Sequence, residues 1–198
     1  TRRSSDLDPT AGGSASRPAR GIFLDAAHFV HGLFLSGVWC VARCGQPTPS
    51  GRHRLSVLGA LNAVTHQLLT VTTDAYINSQ HVCRMLYQLA ALGLTVPITV
   101  VLDNARYQRC GLVQETAAHL NIELLFLPAY SPQFNWIERF WKLVKKCCLH
   151  ARYYPTFPDF KSAILDFIKT AHVEKKDTLK SLLTFNFQSF KEVKIEIG

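Results

Sequence analysis

The sequence predicts an α/β domain in which a mixed sheet is covered by helices on both faces. Its first half contains several segments rich in Val, Leu, Phe and Trp that are separated by polar breaks, as in antiparallel strands. Two almost wholly apolar segments further along flank a helical pattern, which is typical of a parallel strand–helix–strand unit. Amphipathic helices complete the chain, and this order of elements favours the mixed α/β class.

The antiparallel part of the sheet is predicted from four segments: Gly21–Phe29, Gly32–Ala42, Leu55–Val64 and Gln67–Thr72. The second lies close enough to the first to pair with it as a hairpin. Residues 1–20 are rich in Ser, Gly, Pro and Arg and contain almost no large apolar residue, so they predict a disordered arm or linker. We therefore expect one folded domain over residues 21–198.

The second half alternates helices and strands. Apolar residues recur at helical spacing over Ser79–Leu92, and Gly93 marks a plausible end of that helix. Apolar runs predict two parallel strands joined by a right-handed helical crossover. The remaining predicted elements are a long helix, a second amphipathic helix and a short helix after Lys175. The two strands are Ile98–Leu102 and Ile122–Leu127, and the crossover helix between them is Gly111–Leu120. The long helix is Asn135–Leu149, and the second amphipathic helix is Pro158–Ala171.

Charge and cysteine usage narrow the functional class. Lys and Arg number 22 against 14 Asp and Glu, giving a formal net charge of +8, which favours a polyanionic partner such as nucleic acid. The six cysteines form no CxxC pair and fit free thiols in a reducing compartment. No signal peptide or membrane-spanning run is evident, so we expect a cytoplasmic, nucleoid-associated protein.

Three carboxylates stand at positions that suit a metal site. Asp25 and Asp103 each end an apolar strand, and Glu138 follows Asp103 by 35 positions at the start of a basic amphipathic helix. Carboxyl ends of neighbouring parallel strands lie at one edge of a sheet, where such folds usually carry their sites. Oxygen ligands of this kind suit hard divalent cations, and in so basic a chain the expected substrate is a phosphodiester.

Each carboxylate also has a structural explanation. An Asp at a strand end is commonly a turn former. Asn135 and Glu138 match a capping box, and Glu138 with Lys142 forms a possible i,i+4 pair. Ser131 and Pro132 offer an earlier helix start, which would put Glu138 inside the helix. The spacing alone does not decide among these interpretations.

The surrounding residues favour the metal site through a family resemblance. The segments DNARYQR, Asp103–Arg109, and LPAYSPQFNWIE, Leu127–Glu138, strongly resemble paired motifs of DDE transposases, in the bacterial insertion-sequence branch of the mariner superfamily. That branch also has 34 residues between its second and third carboxylates, as here. The segment Phe23–Phe29 resembles its first-aspartate strand, and the resemblance extends over Gly21–Phe190.

This resemblance implies a ribonuclease H-like fold with a five-stranded mixed sheet. It implies that Asp25, Asp103 and Glu138 are the catalytic residues and bind two Mg²⁺ or Mn²⁺ ions. The reaction it implies is cleavage of double-stranded DNA at transposon ends, followed by joining of the 3′ hydroxyl to target DNA. Paired ends imply at least a dimer in the synaptic complex. The helix-turn-helix region that normally precedes this domain is not in the sequence, so we expect a catalytic portion or one half of a split protein.

The chain departs from the family at two positions near these motifs. Gln108 stands where many relatives have histidine; it still offers a hydrogen bond to a phosphate but does not titrate. Trp136 stands where relatives often have proline. All three tryptophans, Trp39, Trp136 and Trp141, fit the core better than a base-stacking role, and a substrate contact is the alternative for Trp136. Together with Gln108, Asn104 and Asn135 are predicted to support the site.

Basic residues around the carboxylates predict a DNA path. Lys142 and Lys145 follow Glu138 at helical spacing, and a solvated cationic helix face is the alternative to a DNA contact. His28 is the histidine nearest the site, and a structural hydrogen bond explains it equally well. The predicted DNA-binding set is Arg106, Arg109, Arg139, Lys142, Lys145 and Lys146, with Arg52 and Arg54 of the loop 43–54 as weaker candidates.

Two other functions remain open at this point. One keeps the fold but gives a nuclease that cuts without strand transfer. The other is a non-catalytic DNA-binding or dimerisation module that inhibits a full-length transposase. Three like charges kept together in an inert module would be costly, which favours an enzyme.

Overall fold

A computed structural model of the protein describes residues 20–32, 53–94, 96–128 and 135–183. Several sequence-based predictions lie outside these ranges. They are the arm before residue 20, most of the segment Gly32–Ala42 with Trp39, the loop position Arg52, the earlier helix start at Ser131 and Pro132, and the tail beyond residue 183.

A mixed five-stranded sheet forms the centre of the fold, as predicted. The strands are β1 (Arg20–Val30), β2 (Arg54–Asn62), β3 (Leu68–Thr73), β4 (Ile98–Leu102) and β5 (Ile122–Phe126), in the order β3-β2-β1-β4-β5. β1, β2 and β3 pair antiparallel, whereas β4 and β5 continue the sheet in parallel from β1. The apolar runs of β4 and β5 therefore mark parallel strands, as the sequence predicts.

The antiparallel neighbour of β1 differs from the expected one. β2 occupies that position in a register from Ile22 opposite Asn62 to Val30 opposite Arg54. The sequence had favoured the nearer segment Gly32–Ala42, of which residues 33–42 lie outside the described residues. Seven consecutive residues of β2 are buried, so β2 behaves as an interior strand, and the predicted hairpin with Gly32–Ala42 stays a prediction.

Helices cover both faces of the sheet. They are α1 (Ser79–Ala90), α2 (Gly111–His119), α3 (Trp136–Val144), α4 (Phe157–Glu174) and α5 (Lys176–Leu182), and a π-helical turn over Lys145–Leu149 continues α3. α1 and α2 pack on one face, and α3, α4 and α5 on the other. Gly93 adopts a φ of +59° just after α1, which confirms the predicted helix end. Among the described residues, no helix is long and apolar enough to span a membrane.

The alternation of β1 decides which face carries its aspartate. Ile22 and Leu24 are buried on the α1 and α2 face, whereas Phe23, Ala27 and Phe29 pack against α3. Because side chains alternate along a strand, Asp25 belongs to the α3 face. The fold thus sends the Asp25 side chain towards the helix that carries Glu138.

β4 is shorter than β1, and this difference opens the sheet at a defined point. The parallel pairing ends at Leu24 opposite Leu102, while β1 continues to Val30. Asp25 and Asp103 are the next residues on the two strands. Both carboxylates therefore stand where the parallel ladder stops, the usual position of sites in such sheets.

Candidate active site

The third carboxylate comes from the first turn of α3. The helix begins at Trp136 with Asn135 as its N-cap, which puts Glu138 at the third helical position. Within the described residues, the Asn135 side chain makes no capping hydrogen bond, so the capping-box interpretation is wrong. Among the described residues the ion pairs are Lys161 with Asp74 and Lys169 with Asp166. Glu138 is in neither pair, so the i,i+4 pair with Lys142 is not formed. Neither explanation accounts for Glu138, whose side chain lines a pocket with Asp25.

The pKa of Asp25 shows that the three carboxylates share one electrostatic environment. This pKa is raised from 3.8 to about 7, first by burial and then by the negative charges of Asp103 and Glu138. The backbone N–H of Ala26 and the indole N–H of Trp141 act in the opposite direction and lower it. Like charges and desolvation outweigh the donors here, as is common where carboxylates converge at a functional site.

An open pocket of about 370 Å³ connects Asp25 with the basic face of α3. Its lining is Asp25, Ala26, Ala27, His28, Glu138, Trp141, Lys142 and Lys145. Two carboxylates, Asp25 and Glu138, and two exposed lysines thus line the same pocket. Among the described residues, no group of three or more His, Cys, Asp or Glu side chains is drawn together into a ready-formed cation site.

Tyr107 is a neighbour of the carboxylates that the sequence did not indicate. Burial raises its pKa to about 12, and the charges of Asp103 and Asp25 contribute to the increase. The phenol therefore remains protonated and can only donate near these carboxylates at neutral pH. Its place four residues after Asp103 was the available signal, but a single tyrosine in a loop is not specific.

The three predicted supporting residues have different environments. Asn104 Nδ2 donates to the Leu127 carbonyl oxygen at 3.3 Å and ties the ends of β4 and β5 together. Gln108 is fully buried, so its amide is not accessible for the phosphate contact that the sequence suggested. Asn135 is also buried, and the amide groups of both Gln108 and Asn135 have no hydrogen-bond partner among the described residues.

The predicted DNA-binding cations divide into two groups. Arg106, Arg109, Lys142, Lys145 and Lys146 are all exposed, and the first two follow Asp103 closely. These five remain candidates for phosphate contacts.

The other two described cations serve the fold. Arg139 Nη1 donates to the Leu182 carbonyl oxygen at 3.1 Å and so links α3 to α5. Arg54 begins β2, and its guanidinium lies 4.2 Å from the centre of the Tyr76 ring. Their assignment to DNA had assumed that a basic residue near the site points outwards. Packing has directed both elsewhere.

Two aromatic residues near the site are structural. His28 Nδ1 lies 2.9 Å from Ser56 Oγ across the β1–β2 pair, which agrees with the structural explanation. Trp136 is only 2% exposed and stacks on Phe23 with ring centres 5.3 Å apart. The predicted core position of Trp136 is therefore confirmed, and the alternative of a substrate contact is wrong.

The four described cysteines, Cys83, Cys110, Cys147 and Cys148, are free thiols. Burial is the main cause that raises the pKa of Cys148 to about 11, so it is inert as a nucleophile. This agrees with the expectation of unpaired structural thiols.

A family model described as "DDE superfamily endonuclease" matches residues 42–161 of the chain. That range contains Asp103 and Glu138 and ends beyond the pocket-lining part of α3. A comparison with curated proteins gave no match.

Solved structures of similar fold include the mariner Mos1 paired-end complex with Mg, at a TM-score of 0.60 and 16% identity over 82% of this chain and 51% of that chain. The paired-end complex with Mn gives 0.58 and 13% over 84% and 56%. The Mos1 transposase catalytic domain with Raltegravir and Mn gives 0.55 and 12% over 87% and 85%. The chain thus spans about half the length of the chains in the paired-end complexes, and it shares the ribonuclease H-like fold of the catalytic domain.

Proposed function

The chain belongs to the DDE superfamily endonuclease family, and on that premise we propose that residues 21–198 are the metal-dependent catalytic domain of a DNA transposase. The domain cleaves DNA at transposon ends and joins the resulting 3′ hydroxyl to target DNA. The observation that carries this proposal is the coupling of Asp25 to Asp103 and Glu138 beside a pocket lined by Lys142 and Lys145.

The donor chemistry at this point fits two Mg²⁺ or Mn²⁺ ions. All three side chains offer carboxylate oxygens, which these ions prefer, and the pKa of Asp25 is raised by burial first and then by the negative charges of the other two carboxylates. When bound, the cations lower the pKa of the attacking water or hydroxyl and stabilise the leaving oxygen. The Mos1 structures in complexes with Mg and with Mn support the choice of metal.

Asp25 is the most central of the three carboxylates that would hold the cations. It is half-buried at the centre of the sheet, between Asp103 on the neighbouring strand and Glu138 on α3. Asp103 is exposed and would bind from the solvent side. Asp25, Asp103 and Glu138 would together hold the cations, and the rigid strand would fix the position of the Asp25 carboxylate.

The basic residues around the pocket provide a path for the DNA backbone. Lys142 and Lys145 line the same pocket as Asp25 and lead away along α3. Arg106 and Arg109 approach from the loop after Asp103. Phosphates held on both sides would position a scissile bond over the carboxylates without reading its sequence. Paired transposon ends would bring two copies of the domain together in the synaptic complex.

Product analysis on DNA tests this function. The protein is incubated with supercoiled plasmid and a duplex oligonucleotide ending in a free 3′ hydroxyl, in Mg²⁺, Mn²⁺ or chelator. We expect nicked plasmid and oligonucleotide–plasmid joints with either metal and neither product in chelator. Nicks without joints would favour the nuclease, and DNA binding without either product would favour the inhibitory module.

Matched variants assign the carboxylates in the same experiment. Asp25→Asn, Asp103→Asn and Glu138→Gln should each abolish both products while the variants remain folded. Glu115→Gln is the control, because Glu115 is an exposed acid on α2. Full cleavage by any of the first three would reject the assignment of that residue.

A further inference from the structure

A glycine in β2 allows α3 to approach the sheet beside Asp25. Gly59 is the residue directly opposite Asp25 in the antiparallel β1–β2 pair. Directly opposed residues have Cα atoms about 5 Å apart and project their side chains to the same face. A Cβ at position 59 would lie 2.6 Å from Trp141 Cζ2 and 2.8 Å from Trp141 Cη2. The indole therefore occupies the space that any other side chain at position 59 would fill.

The part of the indole that rests on Gly59 is the edge next to its N–H group. In the indole ring Cζ2 and Nε1 are both bonded to Cε2, so they share one edge. Contact of Cζ2 with Gly59 thus brings Nε1 to the part of the sheet that carries Asp25. Trp141 also lines the pocket that contains Asp25.

This N–H has no competing role in the described part of the protein. Trp141 is 4% exposed, and Nε1 makes no hydrogen bond of good geometry to any described residue. A buried donor without a partner costs free energy, so its retention needs an explanation. A short side-chain adjustment of Asp25 on cation binding would satisfy it.

We propose that Trp141 is a positioning residue, seated by Gly59, whose indole N–H holds one oxygen of the Asp25 carboxylate and so fixes the oxygen that Asp25 presents to a divalent cation. This inference rests on the proposed function, because it assigns Asp25 as a metal ligand. It adds two residues, Gly59 and Trp141, that the carboxylate motifs do not contain. Donors that orient a ligating carboxylate typically change metal affinity 10- to 100-fold when removed.

The test measures Mn²⁺ binding to the full chain without DNA, from the electron paramagnetic resonance signal of free Mn²⁺. Gly59→Ala keeps the N–H but displaces the ring, and Trp141→Phe removes the N–H. We expect each to weaken Mn²⁺ binding about 10-fold or more. Because both act through one contact, the double variant should bind about as weakly as Trp141→Phe alone.

Two further variants separate positioning from packing. Gly21→Ala is the control within the sheet, because a Cβ at Gly21 meets no described atom within 4 Å; its Mn²⁺ affinity should equal that of the wild type. Replacement of the Trp141 indole by benzothiophene, which puts sulfur in place of N–H in a ring of nearly the same shape, should weaken binding while the melting temperature stays close to that of the wild type.

The outcomes distinguish this inference from the proposed function. If the wild type binds Mn²⁺ and Asp25→Asn does not, the metal assignment stands. Wild-type affinity in Gly59→Ala or in the benzothiophene variant would then overturn the role of Trp141 alone, and so would additive losses in the double variant. If the wild type binds no Mn²⁺ at millimolar concentration, the proposed function fails and this inference fails with it.

Discussion

The starts of α1 and α3, on opposite faces of the sheet, differ in how completely they satisfy their polar groups. On one face, α1 begins with a full capping box, in which the Asn78 side chain accepts the His81 N–H and His81 accepts the Asn78 N–H. On the other face, Asn135 has the same N-cap position at α3, yet its buried amide has no partner among the described residues. The N-cap rule is thus met at the start of α1 and broken at the start of α3, the helix that carries Glu138, as expected near a functional site.

The difference between the two faces is tested most directly by a substitution at Asp25. Asp25→Asn should reduce DNA cleavage below about one-thousandth of the wild-type rate, a loss typical of a central catalytic group. The same change should stabilise the metal-free protein at pH 8, because it removes the cost of ionising a buried carboxyl whose pKa is about 7 instead of 3.8. We expect a gain on the order of a few kcal/mol.

The pH dependence of stability tests the direction of the effect of Asp25. A raised pKa in the folded state means that the wild type loses stability as the pH rises from about 4 to about 7, and the loss is then constant. The melting temperatures of the wild type and Asp25→Asn should therefore differ most at pH 8 and converge near pH 4. A constant difference over this range would contradict the proposed origin of the pKa.

A truncation on the face covered by α1 and α2 should have the opposite effect: it should lower stability and leave DNA cleavage unchanged. Leu86 is fully buried between α1 and the sheet. Leu86→Ala should lower the free energy of unfolding by about 2–5 kcal/mol through the cavity that it leaves. Cleavage per folded molecule should be unchanged at low temperature. A large loss of specific activity without loss of stability would show that the two faces are not separable.

The two helix starts allow a smaller, matched comparison. Asn78→Ala removes a complete cap and should lower the free energy of unfolding by about 1 kcal/mol in urea. Asn135→Ala removes no cap bond and takes an unsatisfied amide out of the core, so its loss should be smaller. Equal losses for the two variants would show that Asn135 has a structural partner.

The smallest expected effect concerns the lysines beside the pocket. Lys145→Gln should make the salt dependence of binding to duplex DNA less steep by about one unit in log–log slope, since one phosphate contact is lost. Lys169→Gln is the matched control, because Lys169 is an exposed lysine on α4 that pairs with Asp166 at 3.9 Å. Identical slopes for both variants would place the DNA elsewhere.

Sequence patterns predicted the features that depend on local periodicity. The strand that carries Asp25, the strand that ends just before Asp103, the crossover helix and the first turn of α3 all follow from apolar spacing and chain breaks. Local periodicity did not predict that β1 pairs with β2, because strand pairing depends on burial of the whole of β2 and not on distance along the chain.

Sequence patterns also did not predict the directions in which side chains point. Arg139 binds the Leu182 carbonyl group and Gln108 is buried, although both lie in motifs that suggest DNA contact. The contact of Trp141 with Gly59 joins residues 82 positions apart, and only an isolated glycine within a strand hinted at a close approach there. Rotamers and tertiary neighbours decide such contacts.

The wide turn after α3 has a consequence for how this protein tolerates changes in length. Over Lys145–Leu149 the helix is π-helical, and the His150 N–H donates to the Lys145 carbonyl oxygen at 3.0 Å, five residues back. Such a turn holds one residue more than an α-turn. Loss of one residue there would restore ordinary winding without altering Glu138 or Trp141 upstream, whereas the same loss within α3 would rotate Trp141 by about 100° relative to Glu138.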